Sequence, residues 1–353
     1  LMKPMWKKLF ALSLLSTATS TWAVDKNNAV TLESCHLGEI RQEVKCGKLQ
    51  VPENYQQPQG EQISVNFAVL PAIDNSEDKT PLMFLAGGPG QAATELATLL
   101  NYKFAEIRKT RDIILVVQRG TGESHPLKCD FEEEQDVYSA LTTDFKASDV
   151  TDCVNQFEGD LSQFNTENAI RDFDAIRVAL AHDKLAIYGG SYGTRAALAY
   201  MRMFPEPLES VVLDGVGAVE VPIGLFGQSV ERSFNLLVDN CKNSESCQQA
   251  FPNLMEEFQQ VKARLAKAPV ELTILHPRLG TPTKFMLDED KITGHLRLPL
   301  YNVAARELLP LVINQAFLGN YQPFIGLMAS TEGEEMVYGG LHFNIVCNED
   351  APQ

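Results

Sequence analysis

A sharp turn between a short apolar run and a helical run restricts the fold of this chain more than any other feature. Residues 185–188 (LAIY) predict a strand, residues 189–193 (GGSYG) predict the turn, and the residues from Tyr192 onward predict a helix. Glycines on both sides of the serine relieve the crowding of so tight a strand-to-helix connection. Ser191 is therefore expected to stand exposed above a sheet, at the N-terminus of a helix.

Runs typical of strands alternate with runs typical of helices between residues 63 and 213. The strand-like runs are 63–70, 81–86, 113–117, 185–188 and 211–213, and the helical ones are 92–108, 165–180 and the run after Tyr192. This alternation predicts a doubly wound, mainly parallel sheet of the α/β class. Farther along, the helical runs 228–240, 254–267 and 303–318 predict a mostly helical cap. We therefore expect a sheet domain at 24–220 and a cap at 221–353.

The first 23 residues are typical of an export signal. Lys3, Lys7 and Lys8 precede a short run of apolar and small residues at 9–20, and residues 21–23 (TWA) fit a small-x-small cleavage site. The apolar run is too short for a membrane span, which needs about 20 apolar residues. We expect a cleaved signal peptide, a periplasmic or secreted product, and no membrane span after cleavage.

The net charge and the spacing of the cysteines exclude some classes of partner and cofactor. The formal net charge of −16 repels phosphate backbones, so nucleic acid is not expected as a partner. The seven cysteines lack the C-x-x-C and His/Cys spacings of a metal site, so no metal and no organic cofactor is expected. Behind an export signal, disulfides are the expected use of cysteine. The short-range pairs are Cys35–Cys46, Cys129–Cys153 and Cys241–Cys247, with Cys347 left over.

Two glycine-rich turns predict the parts of an acyl-transfer site. Ser191 is the expected nucleophile, and the reaction needs two backbone N–H donors for the oxyanion. Tyr192 supplies one, and Gly88, in the GGPG turn at 87–90, supplies the other because glycine allows close approach. The alternative is that both motifs are tight turns only. The glycines expected to shape the turns are Gly87, Gly90, Gly189 and Gly193.

Three motifs together resemble the proline iminopeptidase and tripeptidyl aminopeptidase family of serine exopeptidases. They are GGPG at 87–90, QRGTG at 118–122 and GGSYG at 189–193, in the family's order and spacing over roughly residues 63–216. The resemblance implies an α/β-hydrolase fold. It also implies a serine hydrolase that releases residues or short peptides, through a Ser191 acyl-enzyme, from peptides with a free N-terminus. Arg119, in the second motif, is expected to brace the floor of the site.

The chain departs from this family in three places. Ala86 stands where many members have His, and Val117 where many have Asp, which leaves fine specificity open. The family's triad acid and histidine follow two further strands beyond the cap, in the order Ser, acid, His. The histidines here, His276, His295 and His342, follow no such strand and acidic loop. We therefore expect the triad acid, the triad base and the last strands of the sheet to lie beyond Gln353. This chain alone should then be nearly inactive. The alternative is that His295 or His342 is the base.

Two acidic residues near the end of the chain are candidates for substrate recognition. Exopeptidases must bind a cationic α-amine, which a carboxylate does by a charge-assisted hydrogen bond. The resemblance implies cap glutamates in this role, and Glu349, with Asp350 second, is the expected residue here. A solvated acidic tail is the alternative. The rival functions for the chain are an esterase or lipase on the same fold and a non-catalytic binding fragment.

Overall fold

The computed structural model describes residues 30–74, 79–129, 146–223, 226–275, 281–331 and 337–350. The predicted signal peptide at 1–23 and His276 lie outside these residues. Three hydrophobic cores hold the described part together. One lies on each face of a central sheet, and the third lies among the helices beyond residue 226.

A sheet of seven strands, counted over the described residues, forms the centre of the molecule. In chain order the strands are β1 (Glu33–Cys35), β2 (Val44–Pro52), β3 (Gln62–Leu70), β4 (Leu82–Leu85), β5 (Ile113–Val116), β6 (Leu185–Gly190) and β7 (Leu208–Asp214). In space their order is β1-β2-β3-β5-β4-β6-β7. Strands β5, β4, β6 and β7 run parallel, and β1, β2 and β3 extend the sheet by antiparallel pairing beside β5. The α/β sheet predicted from the alternation of strands and helices is confirmed.

Helices cover both faces of the sheet because its parallel strands are apolar on both sides. Up to residue 203 they are α1 (Ala97–Lys103), α2 (Ala105–Arg108), α3 (Ala147–Val154), α4 (Thr166–Ala179) and α5 (Tyr192–Met203). Helix α1 shares a core with Ile113 and Leu115 of β5. Helices α4 and α5 share the other core with Ile114 and Val116 of the same strand. Alternate side chains of one buried strand thus serve opposite cores, as the doubly wound arrangement requires.

Beyond residue 226 helices predominate. They are α6 (Phe226–Asn243), α7 (Glu245–Ala250), α8 (Leu254–Lys267), α9 (Glu289–Gly294), α10 (Arg297–Tyr301), α11 (Val303–Phe317) and α12 (Gln322–Thr331). A hairpin of β8 (Val270–Leu275) and β9 (Pro282–Leu287) lies between α8 and α9. Apolar faces of these elements form the third core, which includes Phe234, Phe258 and Leu309. No buried apolar run in the sequence predicts this hairpin, because its strands bury few side chains.

The last described segment returns to the central sheet. It consists of α13 (Gly339–Ile345) and a π-helical turn, Val346–Asp350. Leu341 and Ile345 are buried in the core that α4 and α5 share. The fit is close: a Cβ added to Gly340 would lie 2.4 Å from the carbonyl oxygen of Leu127. This packing brings the end of the described chain beside the helix that follows Ser191.

The three predicted disulfides are confirmed. The Cα–Cα distances are 5.9 Å for Cys35–Cys46, 5.1 Å for Cys129–Cys153 and 5.1 Å for Cys241–Cys247, within the usual range for a disulfide. Cys347 is a free, exposed thiol. Within the described stretches, no helix is long and apolar enough to cross a membrane.

Candidate active site

Ser191 lies in a strained turn between β6 and α5. Its backbone has φ 54° and ψ −120°, and a positive φ is uncommon for a residue other than glycine. The Ser191 N–H donates to the carbonyl oxygen of Asp214 at 2.9 Å. The Ser191 carbonyl oxygen accepts from the N–H and the hydroxyl of Thr194, at 2.9 and 2.7 Å. These contacts hold the strained conformation and leave the serine exposed.

Close backbone packing requires glycine on both sides of the serine. A Cβ added to Gly189 would lie 2.3 Å from the carbonyl oxygen of Gly193. A Cβ added to Gly193 would lie 2.1 Å from the carbonyl oxygen of Leu85. Because backbone atoms cannot rotate out of the way as side chains do, any larger residue would displace the turn. The GGSYG motif is therefore the local sequence that this turn needs.

The GGPG turn lies against Ser191. A Cβ added to Gly87 would lie 3.2 Å from the serine Cβ, and the Gly87 N–H already donates to Oε1 of Gln91 at 3.1 Å. Gly88, with φ 107°, lines the cavity in front of the serine. On the other side, Tyr192 is the first residue of α5, so its N–H has no acceptor inside the helix. Gly88 and Tyr192 are the two oxyanion donors predicted from the sequence, and that role stays a prediction.

A cavity of about 1040 Å³ opens in front of the serine. One side is formed by Ser191, Gly88 and the loop after β7, and the other by residues from α6, α10 and α13, such as Phe226, Arg297 and His342. This volume is at the upper end of the range for small-molecule sites. The cavity is therefore large enough for a short peptide.

Arg119 is fully buried behind the site. Its Nε and Nη2 donate to the two carboxylate oxygens of Asp172 at 2.7 and 2.8 Å. Its other N–H groups donate to the carbonyl oxygens of Pro52, Glu53 and Gln163. Burial lowers the pKa of Arg119, but the charge of Asp172, its hydrogen bonds and the nearby Tyr55 and Glu53 together more than offset this, so the pKa lies above its ordinary value. The guanidinium thus ties its own loop to β2 and α4.

The two predicted alternatives for the triad base, His295 and His342, lie in the described part of the chain. His342 lines the cavity, and its Nδ1 lies 3.0 Å from the carbonyl oxygen of Pro89, so Nδ1 carries a proton. His295 follows α9 and lies outside the lining of the cavity. Among the residues that the structure describes, no hydrogen bond joins the Ser191 hydroxyl to a histidine ring. We therefore assign no base among them.

The two carboxylates predicted to bind a substrate amine, Glu349 and Asp350, do not line the cavity. Glu349 accepts two hydrogen bonds from Thr166, at the start of α4. Asp350 is only 3% exposed and forms an ion pair with Arg195 of α5 at 2.6 Å. Their role in substrate binding stays a prediction. The contacts that they make instead join the end of the described chain to α4 and α5.

A carboxylate that the sequence analysis missed, that of Glu95, does line the cavity. Its Oε1 accepts a hydrogen bond from the hydroxyl of Tyr338 at 2.7 Å. The Tyr338 N–H in turn donates to the carbonyl oxygen of Gly90 at 2.8 Å. No feature of the local sequence marks Glu95, because its partner lies at the far end of the chain. In the described residues, no group of three or more His, Cys, Asp or Glu side chains is placed to hold a metal ion.

Comparison with known protein families identifies the fold family of the chain. The family model described as alpha/beta hydrolase fold matches residues 80–260, about half of the 353 residues. The chain belongs to the α/β-hydrolase fold family. The strained turn at Ser191, between a strand and a helix, has the geometry of the nucleophile elbow of α/β-hydrolases, and the role of Ser191 as the nucleophile stays a prediction.

Relatives of this α/β-hydrolase include three peptidases. The serine protease Hip1 of Mycobacterium tuberculosis is 31% identical over 185 residues, which are 48% of this chain and 35% of that protein. The tripeptidyl aminopeptidase of Streptomyces lividans is 29% identical over 194 residues, or 49% of this chain and 35% of that protein. The proline iminopeptidase of Aeromonas sobria is 30% identical over 186 residues, or 52% and 39%. The predicted resemblance is confirmed, and the chain spans well under half the length of these relatives.

Proposed function

We propose that this α/β-hydrolase is a serine peptidase that releases residues or short peptides from the N-terminus of its substrates. The proposal rests on the exposed Ser191, whose strained elbow opens into the same cavity as the Gly88 turn. The three peptidase relatives support peptides over other acyl compounds as substrates. The three disulfides also support export, because disulfides persist in oxidising compartments.

In the proposed reaction, Ser191 Oγ attacks the scissile carbonyl carbon and its proton passes to a general base. The N–H groups of Gly88 and Tyr192 donate to the oxyanion that forms. The C–N bond then breaks, and the leaving amine takes the proton from the base. Water hydrolyses the remaining ester between Ser191 and the released peptide, and the serine is restored.

We propose that the free α-amine of the substrate binds to the carboxylate of Glu95. Among the described residues, Glu95 is the one carboxylate of the cavity lining, and the Tyr338 hydroxyl fixes its orientation at Oε1. An ionised carboxylate has lone pairs on both oxygens, so the second oxygen can accept from an ammonium group.

The proposal is tested on the full-length protein with three substrates: an aminoacyl arylamide with a free amine, the same arylamide N-acetylated, and a short acyl ester. We expect the free-amine arylamide to have the highest kcat/KM. Glu95→Gln should raise its KM about tenfold or more, because a charge-assisted hydrogen bond is lost. Glu106→Gln is the matched control, since Glu106 is an exposed glutamate of α2 that pairs with Lys109. A protein that cleaves the ester and is indifferent to the free amine would be an esterase instead.

A further inference from the structure

The turn at the end of the described chain places a carboxylate against the start of α4. Glu349 Oε1 accepts from the Thr166 N–H at 2.6 Å, and Oε2 accepts from the Thr166 hydroxyl at 2.7 Å. Thr166 is the first residue of that helix, where the helix dipole stabilises a negative charge. Both oxygens of Glu349 therefore accept hydrogen bonds from one residue at the start of α4.

The hydrogen bonds along this contact have a fixed direction from donor to acceptor. The Thr166 hydroxyl carries a single hydrogen, which it donates to Glu349. The hydroxyl of Tyr192 lies 2.6 Å from the same Thr166 oxygen, so Tyr192 must be the donor in that bond. Burial raises the pKa of Tyr192 far above its ordinary value, which keeps this phenol protonated. A directional relay thus runs from Tyr192 through Thr166 to Glu349.

Asp350, the residue after Glu349, makes a similar contact one helical turn farther along α5. Asp350 Oδ1 accepts from Arg195 Nη1 at 2.6 Å, and Oδ2 accepts from the N–H of Ile223 at 2.6 Å. Arg195 also donates to the carbonyl oxygen of Ala218, in the loop that lines the cavity. Tyr192 and Arg195 are three residues apart, so both side chains leave the same face of α5. Two adjacent carboxylates therefore hold one face of the helix that follows Ser191.

This arrangement acts on the oxyanion site through Tyr192, whose N–H is the proposed donor. A donor stabilises the transition state only if its position is fixed to within about 0.5 Å. We propose that Glu349 and Asp350 form a carboxylate brace, a pair of positioning residues that fixes Tyr192 and Ser191 for acyl transfer. The inference rests on the proposed acyl-transfer function, and it does not depend on whether the substrate is a peptide or an ester.

Variants of the relay test the brace. Thr166→Val and Glu349→Gln each break it, while Thr166→Ser keeps the hydroxyl and should rescue function. Glu167→Gln is the matched control, because Glu167 is the next residue of α4 and its side chain pairs only with Arg171 at the surface. The number of active sites is first titrated with a fluorophosphonate, and kcat and KM are then measured per titrated site. The substrates are the free-amine arylamide, its N-acetylated form and the acyl ester.

We expect Thr166→Val and Glu349→Gln to lower kcat per titrated site about tenfold or more on all three substrates, with KM changed by less than about threefold. Thr166→Ser and Glu167→Gln should resemble the unchanged protein. If both relay variants keep full kcat and lose only thermal stability, the brace is merely structural and the inference is overturned. An increase in KM for the free-amine substrate alone would show instead that Glu349 binds the amine, and would also overturn it.

Different results of the same experiment would refute the proposed function. If the unchanged protein cleaves only the ester, the peptidase proposal is lost, and the brace is still measured by kcat on the ester. If a fluorophosphonate does not label Ser191 in the unchanged protein, the acyl-transfer function is lost and the brace with it. If Ser191 is labelled but the relay variants react at the rate of the unchanged protein, only the brace is refuted.

Discussion

Two residues, Ser191 and Arg119, illustrate how far a single side chain depends on distant parts of the chain. The positive φ of Ser191 costs on the order of 1–3 kcal/mol, and contacts to Asp214 and Thr194 hold it in place. Arg119 carries a buried charge whose five N–H donors all have acceptors. In both cases the motif indicates the residue, and the fold supplies its partners.

Ser191→Ala should abolish fluorophosphonate labelling and lower turnover by more than about 10³-fold, because the nucleophile is lost. Its stability should change by less than about 1 kcal/mol, since the exposed hydroxyl makes few packing contacts. Ser229→Ala is the control, because Ser229 lines the same cavity. Labelling of the Ser191→Ala protein at the rate of the unchanged protein would show that another residue is the nucleophile.

Arg119→Ala should lower the free energy of unfolding by about 3–5 kcal/mol, because it leaves the carboxylate of Asp172 buried without its partner. Arg111→Ala removes a half-exposed pair with Glu209 and should cost less than about 1 kcal/mol. Denaturant unfolding measures both. Equal costs for the two variants would mean that Arg119 does not brace the fold.

At the scale of elements, strongly periodic segments were predicted well and connections poorly. The helical run 254–267 corresponds to α8, and the run 303–318 to α11, because their apolar stripes are regular. The helical run 92–108 begins later than predicted, at Ala97, since turns follow the GGPG loop first. Strands β1 and β2 were not predicted, because only pairing makes them strands: β2 pairs with β3, and β1 pairs with β2.

The elbow between β6 and α5 is the element most sensitive to substitution. Gly193→Ala should lower the fluorophosphonate labelling rate of Ser191 more than about tenfold and cost about 1–3 kcal/mol of stability, because its Cβ would meet the Leu85 carbonyl oxygen at 2.1 Å. Gly326→Ala is the matched control in helix α12. A Cβ there meets no atom within 4 Å, so this change should stabilise by about 0.5–1 kcal/mol. Normal labelling of the Gly193→Ala protein would contradict the packing argument.

At the scale of the whole molecule, three cores join segments that are distant in the sequence, and three disulfides each close a short loop. The disulfides close loops of different length, with sequence separations of 24, 11 and 6 residues. The chain-entropy model predicts a larger stabilisation for a longer loop, within about 2–4 kcal/mol per bond.

Replacing Cys129 and Cys153 together by Ser should therefore destabilise the protein most, and replacing Cys241 and Cys247 should destabilise it least. Thermal unfolding of the three double variants gives the order directly. Cys347→Ser should have no effect, because this thiol is free and exposed. A reversed order would indicate that strain or residual structure, rather than loop entropy, controls these bonds.

The sequence by itself determined the α/β class, the elbow at Ser191, the three disulfide pairs and the resemblance to peptidases. These features depend on periodicity, on glycine at fixed spacing, and on cysteines that are near one another in the chain, all of which are local. Only the tertiary structure decided that Glu95 lines the cavity and that Glu349 lies at the start of α4. The bonds responsible join residues 243 and 183 positions apart, Glu95 to Tyr338 and Thr166 to Glu349. Such partners are set by how the whole chain packs, so their spacing in one sequence carries no sign of the contact.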